Sequence, residues 1–167
     1  MNSQNNEDFS THFRFAKTLA RNLVKKSKIS TTPIHLKEIF KLTNQDIKVE
    51  GVDLGSQDGF SINDSIIKYN SSKPVVRQRF TVAHELGHIL MGHNSGSKII
   101  DFESKDVNEQ LANVFASELL VPPSILKKEN LSVECLSTLA EKYWVSKDMM
   151  LWSLRNLKLD TKIGNWE

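Results

Sequence analysis

The strongest local signal in this chain is the run Phe80-Thr81-Val82-Ala83-His84-Glu85-Leu86-Gly87-His88-Ile89-Leu90-Met91-Gly92-His93. It contains His84-Glu85-x-x-His88, and two histidines four residues apart lie on one face of an α-helix. Both imidazoles can then bind one cation, and zinc is a metal that neutral imidazole nitrogens bind well. Glu85 follows the first histidine, so it points away from the ligand face and is placed to act as a general base.

The residues around this motif carry the signals of an amphipathic helix. Ser71, Ser72 and Pro74 are typical of a helix start, and Gly92 is typical of a helix end. Apolar residues recur at helical spacing beside the ligand face, at Val76, Phe80, Ala83, Gly87 and Leu90. The glycine among them predicts a close approach by another segment. The alternative is a surface helix with two ordinary histidines, and the helical context favours the metal site.

A second helix, expected over about 106–120, is predicted to supply a third ligand. Glu109 and Asn113 lie one turn apart on the border of its apolar stripe. Glu109 can complete a His-His-Glu ligand set, and Asn113 can accept the free N–H of a ligand imidazole. Alternatively, Glu109 forms a helix-capping box with Asp106. Weaker candidates for the third ligand, by spacing or position, are His93, Asp101, Glu103 and Glu118.

The composition is that of an ordinary globular protein, with 167 residues, 39% of them hydrophobic and 25% charged. The net charge of +2 is too mild to indicate nucleic-acid binding. Cys135 is the only cysteine, which excludes a disulfide framework and a thiolate zinc site. No apolar run reaches the length of a signal core or a membrane span. We expect a cytoplasmic protein without a membrane segment, and the sequence does not indicate its oligomeric state.

We expect one domain over 1–167, divided into five segments. These are a flexible tail at 1–7, N-terminal helices at 8–45, a sheet and zinc-site helices at 46–123, C-terminal helices at 124–160 and a tail at 161–167. Strands are predicted at 47–52, 59–62 and 65–69, separated by turn-forming residues. The predicted fold class is α+β, a mainly helical, zincin-like domain with a small antiparallel sheet preceding the metal-binding helix.

The last predicted strand ends at Tyr69-Asn70, and we expect it at the edge of the sheet. An extended peptide substrate can pair with an exposed edge through main-chain hydrogen bonds. A plain sheet edge that binds nothing is the alternative.

The C-terminal part predicts two helices joined at Val145-Ser146, an order that is also found in helix-turn-helix proteins. A DNA-reading helix needs a basic face, and Lys147, Arg155 and Lys158 supply little positive charge. We therefore expect these helices to pack over the domain rather than to bind DNA.

Two separated motifs give the chain a resemblance to the ImmA/IrrE family of small zinc peptidases. The first motif is Tyr69-Asn70 followed by Arg77-Gln78-Arg79-Phe80-Thr81-Val82-Ala83-His84-Glu85-Leu86-Gly87-His88. The second is Glu109-x-x-Ala112-Asn113-x-Phe115-Ala116-x-x-Leu119-Leu120-x-Pro122. Looser similarity extends from Pro33 to the Val145-Ser146 helix pair. Many relatives carry an acidic residue where this chain has Leu111, which leaves Glu109 as the only acidic ligand candidate in the second motif.

The resemblance implies a gluzincin-like site in which His84, His88 and Glu109 bind zinc. Zinc would activate a water and polarise the scissile carbonyl, while Glu85 accepts the proton of the water and delivers it to the leaving amine. By analogy with other zinc peptidases, a second donor to the oxyanion is expected, with Tyr69 and His93 as its candidates.

The implied function is that of a zinc-dependent endopeptidase that cleaves a specific cytoplasmic protein, a helix-turn-helix repressor, and so relieves repression. Members of the family are often encoded on mobile elements. The alternative is a non-catalytic zinc-containing regulator that acts by binding its protein partner. Because four protein ligands close a structural zinc site, a fourth ligand such as His93 or Glu103 would support this alternative.

Overall fold

The structure is a computed structural model that describes residues 3–93, 100–101 and 103–164. The helices are α1 (Ser3–Ser27), α2 (Leu36–Phe40), α3 (Val75–Met91), α4 (Val107–Leu120), α5 (Pro123–Leu126), α6 (Leu136–Tyr143) and α7 (Lys147–Asn156). The strands are β1 (Lys48–Val52), β2 (Gly59–Ile62) and β3 (Ile66–Asn70), and a 3-10 turn covers Asp160–Lys162. The predicted α+β class is confirmed. Within the described residues, no helix combines the length and the apolar character that a membrane span requires.

The sheet is mixed, with the strand order β1-β3-β2. β2 and β3 form an antiparallel hairpin, which turns at Asn63 and Asp64 with both residues in the left-handed conformation. This hairpin pairs with β1 through its second strand, so β1 and β3 run parallel. The expectation of an antiparallel sheet is therefore wrong for one of the two pairings, because strand order depends on non-local docking of the hairpin.

The same order corrects the expected place of Tyr69-Asn70. These residues end β3, which is the central strand and pairs on both sides. The edges of the sheet are β1 and β2. The prediction that this strand offers an edge to an extended substrate is therefore wrong.

Two glycines allow α3 to pack closely on its neighbours. A Cβ atom at Gly59 would lie 2.5 Å from Thr81 Cγ2, so the backbone of β2 packs directly on the Thr81 side chain of α3. A Cβ atom at Gly87 would lie 2.9 Å from Phe115 Cδ1, which brings α4 against the other side of α3. The close approach predicted from the helical glycine is thus present, and it places α3 between the sheet and α4.

The two ends of α3 differ in how well the sequence predicted them. Pro74 occupies the N-cap position, and no side chain caps the helix there. The side chain of Gln78 donates instead to the carbonyls of Ser71 and Lys73. Gly92 ends the helix in the left-handed conformation at φ 70°, as predicted.

Some described residues of both expected tails belong to ordered elements. α1 begins at Ser3, inside the stretch that was expected to be flexible, and it packs against α4 with Arg21 paired to Glu118. At the other end, Ile163 is 8% exposed in the core, and the Gly164 N–H donates to the Leu131 carbonyl at 2.9 Å. Burial of this apolar residue orders the chain beyond residue 161. Residues 165–167 of the expected tail lie outside the described residues.

The C-terminal helices α6 and α7 pack their apolar faces into the hydrophobic core. Their buried apolar side chains are Leu136, Leu139, Ala140, Tyr143, Met149, Met150 and Leu154. Trp144 turns the chain in the left-handed conformation, and the Ser146 hydroxyl caps α7 by accepting from the Met149 N–H. Lys147 and Arg155 are exposed. This arrangement is the packing role that the sequence predicted for the pair.

Candidate metal centre

Three buried side chains from α3 and α4 converge on one point. His84 and His88 lie one turn apart on α3, and Glu109 reaches them from the first turn of α4. The two Nε2 atoms are 3.0 Å apart. The Glu109 carboxylate oxygens lie 3.3 Å from His84 Nε2 and 3.4 Å from His88 Nε2. Both histidines are 1% exposed and Glu109 is 7% exposed, so this group can hold a metal ion away from bulk water.

Asn113 fixes the orientation of the His84 ring. Its Nδ2 donates to the backbone carbonyl of Asp101 at 2.9 Å, and its Oδ1 lies 2.9 Å from His84 Nδ1. A carbonyl only accepts, so the amide nitrogen must face Asp101 and the amide oxygen must face His84. His84 therefore carries its proton on Nδ1 and directs the Nε2 lone pair at the other two ligands, as a metal ligand requires.

The charge of Glu109 makes this group suitable for a cation. The imidazoles of His84 and, next, His88 hold the pKa of Glu109 well below its usual range, although burial opposes this shift. Glu109 is therefore an anion at neutral pH. A buried carboxylate needs a positive charge or hydrogen-bond donors beside it. A bound metal ion can provide that charge, and N–H groups of the imidazoles can satisfy the carboxylate without one.

Asp106 and Glu109 share the start of α4 without forming the predicted capping box. The Asp106 carboxylate accepts the N–H groups of Asn108 at 2.8 Å and Glu109 at 3.3 Å, which is an N-cap. The Glu109 side chain is directed to the histidines. Only half of the capping box is therefore present, and the Glu109 carboxylate contacts the two histidines instead.

Glu85 follows His84 on α3 and is 2% exposed. Its carboxylate does not belong to the group of metal-ligand atoms that the described residues form. A buried carboxylate one residue from a candidate ligand, and outside the candidate ligand group, is compatible with a general base. That role of Glu85 stays a prediction.

His93 lies beside the ligand group, whereas Tyr69 does not contact it. Gly92 reverses the chain so that the His93 N–H donates to the His88 carbonyl at 2.9 Å, and the two rings meet edge-on at 5.6 Å. Burial and the neighbouring His88 lower the pKa of His93, so its ring is neutral at neutral pH. The ring of Tyr69 lies across Gly51 on β1. In the described part of the chain, no hydrogen bond, ion pair or ring contact joins Tyr69 to the ligand residues.

The other predicted ligand candidates have different partners. The Asp101 carboxylate accepts the Glu103 N–H at 2.9 Å, and Glu103 itself is exposed. Glu118 forms a two-point ion pair with Arg21. Among the described residues, His84, His88 and Glu109 are the sole group that could hold a metal ion. Residues 94–99, which the structure does not describe, contain no His, Cys, Asp or Glu.

Three polar residues support the site, and the sequence did not indicate this role for any of them. They are Asp58, Asn70 and Arg77. Asp58 and Arg77 form a two-point ion pair at 3.0 and 2.7 Å. Asn70 is fully buried, and its side chain donates to the carbonyls of Gly55 and Gln57 in the loop that leads to Asp58. Arg77 and Asn70 belong to the motifs quoted above, but no local pattern connects either of them with Asp58.

The comparisons with known proteins agree with this geometry. Residues 41–154, more than half of the chain, match the family model of the IrrE N-terminal-like domain. The chain is 37% identical over 122 residues to the radiation response metalloprotease IrrE of Deinococcus radiodurans, an alignment that covers 64% of this chain and 37% of that protein.

A solved structure, a Mycobacterium tuberculosis transcriptional regulator, superposes with a TM-score of 0.59 at 16% identity, over 84% of this chain and 46% of that chain. At this identity the likeness shows a shared fold. The chain spans less than half of the length of either protein. Because the family model covers more than half of the chain and includes all three candidate ligand residues, the chain belongs to the IrrE N-terminal-like domain family, in agreement with its resemblance to the ImmA/IrrE peptidases.

Proposed function

We propose that this protein is a zinc-dependent endopeptidase that cleaves a specific protein, a helix-turn-helix transcriptional repressor in the cytoplasm. The observation that carries the proposal is the convergence of His84 Nε2, His88 Nε2 and the Glu109 carboxylate within 3.0–3.4 Å of one another. A tetrahedral zinc ion with ligands at about 2.0–2.1 Å separates its ligand atoms by about 3.3–3.4 Å. The donor set and its spacing therefore fit zinc.

The number of ligands supports a catalytic site rather than a structural one. Structural zinc sites are closed by four protein ligands, whereas catalytic sites use three and leave a position for water or substrate. The group contains three members among the described residues, and neither His93 nor Glu103 is one of them. This count favours the peptidase over the non-catalytic regulator.

Each residue of the site then has a separate role in the reaction. Zinc, when bound, supplies the Lewis acid that activates water and polarises the scissile carbonyl. Glu85 accepts the proton of the attacking water and returns it to the leaving amine nitrogen. Asn113 holds His84 in the tautomer that leaves Nε2 free. The buried position of these groups strengthens each electrostatic contact during the reaction.

We assign the second oxyanion donor to His93 rather than to Tyr69. Of the two predicted candidates, His93 is the one in ring contact with a ligand residue. Its Nδ1 is one of two buried side-chain nitrogens that lack a hydrogen-bond partner in the described part of the chain. A buried nitrogen without a partner is available to a substrate group, and a neutral imidazole can donate one hydrogen bond to a developing negative charge.

The test is an incubation of the wild type, Glu85→Gln and Glu103→Gln with the helix-turn-helix protein encoded beside this gene, with zinc content measured for each variant. We expect the wild type and Glu103→Gln to cut the repressor at equal rates. Glu85→Gln should lose about 10²- to 10⁴-fold of the rate, because it lacks the base, while retaining one zinc per chain. Glu103 is the matched control, since it is an exposed carboxylate outside the ligand group.

Two other outcomes would count against the proposal. If all three variants hold zinc and bind the repressor without cutting it, the non-catalytic regulator is the better account. If Glu85→Gln cuts as fast as the wild type, Glu85 is not the base.

A further inference from the structure

A second polar network lies between the sheet and the first turns of α3. Asp58 directly precedes β2 and is 3% exposed. Its carboxylate accepts three hydrogen bonds, from Arg77 Nε at 3.0 Å, from Arg77 Nη2 at 2.7 Å and from the Ile100 N–H at 2.9 Å. Arg77 Nη2 also donates to the Ile100 carbonyl. One ion pair therefore fixes both backbone polar groups of Ile100.

The loop that carries Asp58 is itself held by Asn70. The Asn70 side chain donates to the carbonyls of Gly55 at 2.9 Å and Gln57 at 2.7 Å, and the Asn70 N–H donates to the Asp58 carbonyl at 2.7 Å. Asn70 has no exposed surface. Asp58 is thus anchored to the central strand of the sheet. Because Asp58 and Arg77 both bond to the backbone of Ile100, they hold this residue in a fixed position relative to the sheet.

The network continues from Ile100 to the metal centre. Asp101 follows Ile100 directly, and its carbonyl accepts the bond from Asn113 Nδ2 at 2.9 Å that sets the direction of the Asn113 amide. The opposite end of that amide lies 2.9 Å from His84 Nδ1. Because hydrogen bonds weaken beyond about 3.2 Å, a displacement of the Asp101 carbonyl by about half an ångström releases the amide. A free amide can turn and offer either end to His84.

We propose that Asp58 and Arg77 form a positioning pair for the metal centre. The pair holds the backbone at Ile100 and Asp101, the Asp101 carbonyl orients the Asn113 amide, and the amide selects the His84 tautomer whose Nε2 faces the metal. This inference rests on the proposed metal site, but it does not require that the protein be a peptidase. Neither residue contacts the ligand atoms, and their effect passes through Asn113.

The protein contains a matched ion pair that lacks this connection. Arg21 and Glu118 also form a two-point pair, with distances of 2.7 and 2.9 Å and an 8% exposed carboxylate. This pair joins α1 to α4, and none of its hydrogen bonds leads to Asn113 or to a ligand residue. It serves as a control for the general loss of a part-buried ion pair.

The experiment compares Asp58→Asn with Glu118→Gln in the full chain. Nitrogen-15 NMR of the imidazoles in the metal-free protein reports the His84 tautomer, and competition with a chelator gives the zinc affinity. For Asp58→Asn we expect a mixture of the two His84 tautomers and a zinc affinity weaker by on the order of 10-fold, the lower end of the range for partners that orient ligands. Glu118→Gln should keep the wild-type tautomer and affinity. Equal effects of the two substitutions, or no effect of Asp58→Asn, would overturn the inference.

Two further variants extend the experiment. One replaces Asp58→Asn if that variant does not fold, and the other tests whether the effect passes through Asn113. If Asp58→Asn does not fold, Arg77→Lys replaces it, because lysine cannot form the two-point pair; the same outcomes apply. In an Asn113→Ala background, Asp58→Asn should produce no additional loss of zinc affinity, and an additive loss contradicts the route through Asn113.

Both readouts are independent of turnover. A chain that binds zinc and cleaves nothing refutes the peptidase and leaves the positioning pair intact. A chain that binds no zinc refutes the proposed function, and the His84 tautomer alone then decides the inference.

Discussion

The α3–α4 pair and the α6–α7 pair differ in the chemistry of the side chains that they bury. The first pair buries ionisable and amide groups, each 7% exposed or less: His84, Glu85, His88, Glu109, Asn113 and Glu118. The second pair buries mainly apolar side chains. Its two buried polar groups are hydrogen-bonded, with the Ser153 hydroxyl donating to the Met149 carbonyl and the Tyr143 hydroxyl to Glu129.

This difference separates what stabilises each region from what each region can do. Buried polar groups cost free energy unless every one of them has a partner, whereas buried apolar surface stabilises in proportion to its area. The α3–α4 pair also buries apolar side chains, among them Leu86 and Phe115, but it depends in addition on its hydrogen bonds and on a cation. The α6–α7 pair depends mainly on filled volume. Changes in metal or in polar partners should therefore act on the first pair and leave the second unchanged.

The largest effect is expected from Leu154→Ala in α7. Leu154 has no exposed surface, so the substitution leaves a cavity and should lower the free energy of unfolding by about 2–5 kcal/mol, measured by urea denaturation. Zinc affinity should not change, because the site lies in the other pair. Leu151→Ala, at a half-buried position on the same helix, is the control and should cost less. A loss of zinc affinity in Leu154→Ala would show that the two regions are not independent.

Removal of zinc should have the next largest effect, and it should act on the other region. At free zinc about 1,000-fold above the dissociation constant, binding adds about 4 kcal/mol to the free energy of unfolding, and a chelator removes it. Hydrogen exchange should show the amides of α3 and α4 losing more protection than those of α6 and α7. An equal loss of protection in both pairs would contradict the comparison.

A smaller effect is expected from Asn113→Ala, which leaves the ligands in place and removes the group that orients His84. Zinc affinity should fall by about 10- to 100-fold, which chelator competition measures. Ser153→Ala is the control in the apolar pair, since it removes a buried hydroxyl that bonds within its own helix. If both variants bind zinc as the wild type does, Asn113 has no part in ligand orientation.

The grouping of the three candidate ligands was easier to predict than the order of the strands, because it depends more on local spacing. His84 and His88 are placed by a single helical turn, and Gly87 correctly indicated the approach of α4. Glu109 was reached through a second motif on a second helix. The order of the strands depends on which strand of the β2–β3 hairpin docks on β1, and both choices satisfy the same alternation of residues.

The sequence also did not predict contacts between residues that are distant in the chain. Asp58 and Arg77 are 19 positions apart, and nothing in the turn that holds Asp58 predicts its partner. Ile163 was assigned to a tail because the residues around it are polar, although one apolar side chain was enough to dock the segment. These contacts are set by the packing of the whole chain. The spacing of apolar residues within one element does not predict them.

The smallest effects are expected from changes of pH. Acidic pH should act on the Asp58–Arg77 pair, and alkaline pH should act on the α6–α7 pair. The pKa of Asp58, which burial alone would raise, is held below its ordinary 3.8 by the hydrogen bonds from Arg77 and the Ile100 N–H. Its contribution is present above that value and is lost as the pH falls through the folded pKa. The pKa of Tyr143 is raised above its ordinary 10.0 by burial and by Glu129. Its contribution is present below pH 10 and is lost above it, because the unfolded chain then ionises while the folded chain does not.

Each effect is tested by replacing the titrating residue and measuring the free energy of unfolding as a function of pH. The acid limb of this curve lies below neutral pH, and the alkaline limb lies above it. Asp58→Asn should flatten the acid limb and leave the alkaline limb unchanged, and Tyr143→Phe should flatten the alkaline limb. A single group changes the slope by no more than about 1.4 kcal/mol per pH unit, so each variant must be compared with the wild type at every pH. If Asp58→Asn altered the alkaline limb, the apolar pair would be coupled to the Asp58–Arg77 network. The separation of the two regions by their buried chemistry would then fail.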